Sequence, residues 1–347
     1  MYDDITGAAH SFASGGFRLP QGEVRLGRFH SGAISRTRML RLLLNGALDV
    51  GVQVEIGRER DVIDALDDAD LVIAADGASS ATRNRFREEF GAEVTPGRGR
   101  YIWCGAVARL DSTVFLPVTT PDGLFVAHAY PYGETRSTFV IEASTETLDR
   151  AGFGDRQWSS NGASDDEALT YLSKAFSELL DGGSFSGNRS RWGRFNTVRC
   201  ARRHHDKIVL LGDAATTAHP SLASGTKIAT ESAIALADAL APLKDEPFSV
   251  GLERFEAARR PEVERLQERG PAARGGFPRA QANGTLSVDA GPDLSLAHSP
   301  LLGAHCLPSA RGTPRCHLRK QRPHMARRSQ SAVRAPRRAG RPLLRSH

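Results

Sequence analysis

Apolar residues alternate loosely with polar ones from Phe12 to Phe29, through Phe17, Leu19, Val24 and Leu26, around a Pro20-Gln21-Gly22 step. That pattern predicts turns and short strands over residues 1–30, two of them joined by a hairpin-like turn. The period then changes. Ser35 stands where a helix cap belongs, and Met39, Leu40, Leu43, Leu44 and Leu48 fall on one face of a helix reaching about Val50. Residues 52–56 are expected as a strand, the Asp-rich DALDDAD as a bend, and residues 71–75 as a buried strand.

From residue 98 to about 194 the pattern shifts to repeated alternation. Residues 101–108, 123–130 and 138–142 predict strands of an antiparallel sheet with aromatic residues on one face. Residues 165–180 predict an amphipathic helix, with Asp165, Asp166 and Glu167 at the end its dipole favours. Residues 208–211 are a continuous apolar run, as in a strand buried on both faces. Gly212-Asp213 breaks the run, and a loop containing Pro220 leads to Gly225. Ile228, Ala229, Ala233, Leu236, Ala237 and Leu240 then recur at helical spacing until Pro242. A carboxylate thus ends a buried strand, and a helix N-terminus led by Gly225 and Thr226 points back toward it. This suits a ligand with hydroxyls for the Asp and an electron-rich end for the helix dipole. An ordinary strand–loop–helix unit with a turn Asp has the same pattern. Residues 248–267 predict a polar helix interrupted at Pro261, and beyond residue 270 the periodicity collapses.

Two motifs carry a family resemblance. Residues 207–240, with Gly212, Asp213, Ala214, Ala215, Pro220, Gly225 and Glu231, resemble the second flavin-binding motif of FAD-dependent aromatic hydroxylases, the group that includes p-hydroxybenzoate hydroxylase. Residues 70–86, with Asp76, Gly77, Ser80 and Arg83, resemble that family's Asp-Gly motif; read by themselves they are a strand, a tight turn and a helix start. Arg36, opening the helix after Ser35, matches an Arg that helps hold the flavin, and a solvated helix-start Arg is its plain alternative. RYIWCGA (100–106), FVAHAYPY (125–132), STFVIEAS (137–144) and SGTK (224–227) are closest to salicylyl-CoA 5-hydroxylase and its relatives, among them the indole-ring hydroxylase of violacein synthesis.

The resemblance covers roughly residues 15–268 and implies the following. The fold is mixed α/β: an incomplete Rossmann-like FAD-binding domain at 1–97, with 1–30 on the substrate side, an antiparallel-sheet substrate domain at 98–195, and a return to the FAD domain at 196–268. Asp213 holds the ribityl chain and the Gly225 helix start faces the isoalloxazine. Asp76 and Arg83 serve the dinucleotide side. Trp103, His128, Tyr130 and Phe139 face the substrate from the sheet, with plain sheet packing as the alternative for each, and His219 is a further site candidate. The cofactors are FAD and NAD(P)H. The substrates are molecular oxygen and a small aromatic ring, an aryl-CoA thioester or an indole-like one, hydroxylated through a flavin C4a-hydroperoxide.

Charge changes one part of this picture. The formal net charge is +6. Twelve of the 46 Lys and Arg lie in residues 311–347, which hold no Asp or Glu, so the first 310 residues carry 34 basic against 40 acidic side chains, a net of −6. The tail, 269–347, is rich in Arg, Pro, Ala, Gly and Ser and too poor in apolar residues to fold, so it is expected to be disordered. It has neither aromatic interleaving nor a recognisable module, which argues against nucleic acid as a partner. Its composition points to an out-of-frame reading of GC-rich DNA. Cys104, Cys200, Cys306 and Cys316 imply no disulfide framework, and the His305-Cys306 and Cys316-His317 pairs fit no standard zinc spacing. No apolar run reaches the roughly 18 residues of a membrane span. The N-terminus has no export pattern, so a cytoplasmic location is expected.

The sequence contains no Gly-x-Gly-x-x-Gly, the turn that cradles a dinucleotide pyrophosphate. By the resemblance it starts some ninety residues into the family, as a misplaced start site or a gene fragment would. A non-catalytic fragment that cannot retain FAD, or an interaction protein acting through its basic tail, are the alternatives to an FAD-dependent hydroxylase.

Overall fold

Period-two alternation builds one large sheet, and the continuous apolar run forms the middle of a small one. The structure is a computed structural model; it describes residues 2–19, 22–154, 162–218, 224–243, 246–275, 279–280 and 286–287. The large sheet is formed by β1 (His10–Leu19), β2 (Gly22–Ala33), β4 (Ala92–Val107), β5 (Thr113–Thr120), β6 (Gly123–Pro131), β7 (Arg136–Ala143), β8 (Phe185–Ser186) and β9 (Gly193–Cys200). Its order is β2-β1-β5-β6-β7-β4-β8, with β9 also on β4, and every pairing is antiparallel except β1 with β5. The small sheet joins β10 (His204–His205), β11 (Ile208–Leu210) and β3 (Val72–Ala74), with β11 and β3 parallel. The helices are α1 (Tyr2–Ala8), α2 (Arg36–Asp49), α3 (Val62–Asp68), α4 (Ala81–Arg85), α5 (Thr145–Arg150), α6 (Asp166–Ala175), α7 (Ser177–Leu180), α8 (Gly225–Leu240) and α9 (Phe248–Gly275). The mixed α/β class is as expected.

One face of the large sheet carries Ile102, Cys104 and Ala106 of β4, Phe125, Ala127 and Ala129 of β6, and Phe139, Ile141 and Ala143 of β7, all buried against α5, α6 and α7. A second core holds Ala92 of β4, Val198 and Cys200 of β9, and Ile208 and Leu210 of β11. β4 is therefore shared by both cores, and the expected boundaries at 97/98 and 195/196 fall inside β4 and β9. Val209 points the other way, into a third core with Leu236 of α8 and Leu252 and Phe255 of α9. β11 is covered on both faces, which is why its sequence does not alternate.

β3 differs. It pairs with β11 on one side, and among the described residues nothing pairs with its other edge; Ile73 is 49% exposed rather than buried. The apolar face expected of α2 forms, with Ser35 as its cap, but no residue of α2 is buried. Residues 52–56 are not a strand: they are irregular, with Ile56 82% exposed. A strand's N–H and C=O groups need a neighbouring strand, and none of the described residues supplies one.

Other expectations are corrected by local hydrogen bonding. The Asp-rich bend is α3, because Asp61 accepts a bond from the Ile63 amide at 2.8 Å and caps it. Residues 2–8 are a helix with Asp3 and Asp4 in its first turn. The 165–180 helix divides at Phe176, whose ring is buried in the first core. α9 continues through Pro261 to Gly275, past the point where the tail was expected to begin, because Leu252, Phe255, Arg259, Val263 and Gln267 keep one face buried. Within the remainder, residues 279–280 and 286–287 pair as an antiparallel bridge, β12 and β13.

Candidate functional site

The two motifs meet at the C-terminal ends of β3 and β11. The Leu211 amide bonds the Ala74 carbonyl at 2.9 Å, placing the Asp-Gly and Gly-Asp turns side by side. Gly77 and Gly212 have φ of +82° and +60°. Both are left-handed conformations that cost other residues roughly 1–2 kcal/mol, so these turns need glycine.

Arg83 ties the turns together. It is 2% exposed; Nη1 donates to the Ala214 carbonyl at 3.1 Å and Nη2 to the Ala78 carbonyl at 2.8 Å. Its Nε is buried without a hydrogen-bond partner, and among the described residues no carboxylate pairs with it. Ser80, capping α4, accepts from the Arg83 amide at 2.9 Å and so sets where the side chain begins. Arg83 is thus an internal latch between motifs 131 residues apart. Asp76 accepts from the Thr82 amide at 3.1 Å. Burial pushes its carboxyl up, but bonds from the Ser80 hydroxyl and the Thr82 amide and hydroxyl outweigh this and hold it below the usual carboxylate range.

Asp213 is exposed at the end of β11, in the single turn Gly212–Ala214. Desolvation raises its carboxyl and the nearby Arg36 guanidinium lowers it, with a net upward shift. Arg36 is the first residue of α2, so the Ser35 cap delivers the cation to Asp213. Behind Asp213, the Thr216 hydroxyl is buried with no hydrogen-bond partner among the described residues.

α8 begins at Gly225, and its first internal bond runs from the Ile228 amide to the Ser224 carbonyl at 2.8 Å. The Ser224 side chain does not cap it, which leaves the amides of Gly225, Thr226 and Lys227 as helix-end donors. A Cβ at Gly225 would meet nothing within 4 Å among the described residues. Glu231 is engaged elsewhere, by Lys227 at 2.7 Å and Arg259 of α9 at 3.3 Å. His219 and Pro220 lie outside the described residues.

The substrate-facing candidates divide by face. Trp103 of β4, His128 and Tyr130 of β6 lie opposite the first core, whereas Phe139 of β7 is inside it against Phe185. Phe139 was misread because one step along a strand reverses the face. Trp103 is 48% exposed. His128 is 9% exposed and stacks on Phe115, centroids 4.4 Å apart at 9°. Burial pushes its pKa down to about 4. Burial also raises the Tyr130 phenol, partly offset by a bond with the Thr138 hydroxyl. Thr113, 3.2 Å from His128 Nε2, was missed; only the β5–β6 register, which pairs its neighbours Val114 and Phe115 with Ala129 and His128, could have flagged it. Among the described residues no three His, Cys, Asp or Glu side chains are grouped to hold a metal ion, and no helix is long and apolar enough to cross a membrane.

Comparison with known proteins agrees with this geometry. A salicyloyl-CoA 5-hydroxylase of a Streptomyces species is 39% identical over 245 residues, 70% of this chain and 47% of its own length. A 3-hydroxy-4-methyl-anthranilyl-[aryl-carrier protein] 5-monooxygenase of Streptosporangium sibiricum is 40% identical over 69% of this chain and 61% of its own. The chain therefore spans about half the length of the curated relatives it matches. A crystal structure of 2-methyl-3-hydroxypyridine-5-carboxylic acid oxygenase shares the fold, with a TM-score of 0.59 at 19% identity, over 78% of this chain and 76% of that one. The family described as "FAD binding domain" matches residues 49–270. With well over half of its length in that match and both turn motifs built as above, the chain belongs to the FAD binding domain family.

Proposed function

We propose that this chain carries the ring-binding half of an FAD-dependent, NAD(P)H-consuming monooxygenase that hydroxylates an aromatic ring presented as an aryl thioester. The observation that carries the reading is the convergence of Asp213, Arg36 and the first turns of α8, whose Ala229 lies 3.7 Å from a Cβ built at Gly212. Those groups fit the hydroxylated chain and electron-rich ring of a flavin. The two relatives named above act, by their names, on a coenzyme A thioester and a carrier-protein thioester, which supports the substrate class.

When bound, FAD supplies the two-electron chemistry that lets one atom of oxygen enter the ring while the other leaves as water, at the expense of NAD(P)H. The protein's part is to bind and orient. Asp213 accepts hydrogen bonds from the ribityl hydroxyls, and Arg36 keeps that carboxylate from being wholly isolated. The first amides of α8 place partial positive charge where the ring system gains electrons. Arg83 and Asp76 hold the two turns in register. No residue is assigned to the pyrophosphate, because the sequence has no glycine-rich turn for it. A cytoplasmic setting belongs to the same proposal: Cys104 and Cys200 are free thiols, and the reductant is an intracellular dinucleotide.

The test is a titration of the purified full chain with FAD, followed by absorbance near ~450 nm, where an oxidised isoalloxazine absorbs. Saturable binding, weakened at least tenfold by Asp213→Ala, is expected, as are NAD(P)H oxidation and a one-oxygen mass gain with a salicyl thioester. A chain that stays colourless at millimolar FAD is a non-catalytic fragment.

A further inference from the structure

We propose that His128 is a substrate-orienting residue whose Nδ1 accepts a hydrogen bond from a hydroxyl or amino group on the aromatic ring, and that Thr113 fixes the imidazole tautomer that makes this contact. The proposal rests on the aryl-hydroxylating reading above and names the feature of the ring that the site recognises.

The strand register places His128 in a row across the sheet. Phe17 pairs with Phe115, Phe115 with His128, His128 with Val140, and Val140 with Trp103, on five neighbouring strands and one face. The rings at one end form a stack. Phe17 and Phe115 are 5.2 Å apart at 26°, and Phe115 and His128 4.4 Å apart at 9°. The imidazole plane is therefore held, and only its edge remains to act. Trp103 ends the row as a flat apolar surface, half-exposed, with Val140 buried between it and His128. A planar ring lying along this row meets an apolar platform and one polar edge.

That edge has a fixed polarity. His128 Nε2 is 3.2 Å from Thr113 Oγ1, and the Thr113 hydroxyl donates to the Ala129 carbonyl at 3.3 Å. A hydroxyl has one proton. In the proposed tautomer that proton goes to the carbonyl, which can only accept, and Nε2 carries the N–H that Thr113 accepts. Nδ1 is then a lone pair, and it makes no hydrogen bond among the described residues. A ring hydroxyl or amino group arriving there supplies the donor that Nδ1 lacks among the described residues. Tyr130 is next along the face, its ring 5.6 Å from the imidazole. Burial keeps the imidazole neutral at physiological pH. Accepting a proton-side bond from a ring hydroxyl or amine also pushes electron density into the ring, which oxygenation by an electrophile requires.

The experiment uses the full chain labelled with 15N-histidine, with His128 assigned by its loss in His128→Phe, which preserves the stack on Phe115. Two-bond proton–nitrogen spectra are expected to show the Nε2–H tautomer in the wild type and in Thr113→Ser, and a tautomer mixture in Thr113→Val. Salicyl and benzoyl thioesters of N-acetylcysteamine are then titrated in the presence of FAD, following the His128 Nδ1 resonance and the affinity. The salicyl ring should shift Nδ1 and bind about tenfold tighter than benzoyl, as one net hydrogen bond implies, with the difference abolished in His128→Phe and Thr113→Val and kept in Thr113→Ser. An Nδ1–H tautomer in the wild type, or equal affinity for the two thioesters, overturns the proposal and leaves the hydroxylase reading standing. Failure of both thioesters to bind overturns the aryl-thioester reading and the recognition with it.

Discussion

The two motif aspartates affect stability in opposite directions. Asp76 has a folded-state pKa below its ordinary 3.8, so it contributes stability above about pH 4 that is lost as the pH falls through the folded value. Asp213 is shifted upward, so its charged form opposes folding, and the penalty appears as the pH rises past 4. Urea unfolding at pH 7 should show Asp76→Asn less stable than wild type and Asp213→Asn slightly more stable, with both differences vanishing near pH 2. His128 gives a third pH signature. Its pKa falls from 6.5 to about 4, so between those values the unfolded chain binds a proton that the folded chain refuses. Stability should drop on the order of 3 kcal/mol over that window and then level off, and His128→Phe should lack the drop. Arg83→Ala strands the Ala78 and Ala214 carbonyls and empties a buried volume, a loss of about 2–4 kcal/mol measurable by the same unfolding.

Helix α2 and helix α9 show what a periodic pattern can and cannot tell. Both were read from 3.6-residue spacing. α9, called polar, buries Leu252, Phe255 and Val263, while α2, with the clearer apolar stripe, buries nothing. A pattern shows which face seeks burial; whether that face finds a partner depends on distant chain. Amide exchange should follow the packing rather than the pattern: α2 should exchange far faster than α8 and α9. Charged substitutions at Leu40 and Leu48 should change unfolding free energy by less than about 0.5 kcal/mol while lowering binding of an apolar dye. The same limit separates the legible from the illegible parts of the site. Gly77 and Gly212 were readable because their positive φ calls for glycine, and Asp213 because it follows Gly212 at the end of a continuous apolar run. Arg83 was found as a motif residue, but its latch to Ala214 was not, since a carbonyl has no identity in a sequence. Thr113 was invisible because its meaning comes from the β5–β6 pairing that brings it beside His128 and the Ala129 carbonyl. Residues 52–56 looked like a strand because β propensity is local and pairing is not.

At the scale of the whole molecule, β4 runs unbroken from the second core at Ala92 to the first at Ala106, with β9 paired beside its first half. The expected boundary at residue 97 falls within this strand, where the β4–β9 register shifts between Pro96 and Arg100. Scanning calorimetry should give one transition for these two cores, and a polar substitution at Ile102 should lower the stability reported by both. Arg83 has a consequence of another kind. Its guanidinium is buried beside a carbonyl contributed by the other motif, so neither motif is complete without its partner. A chimera that exchanges the segment between them with that of a relative succeeds only if the incoming turn presents its carbonyl at the same place. The two motifs are thus one unit of inheritance, although Arg83 and Ala214 are 131 positions apart in the chain.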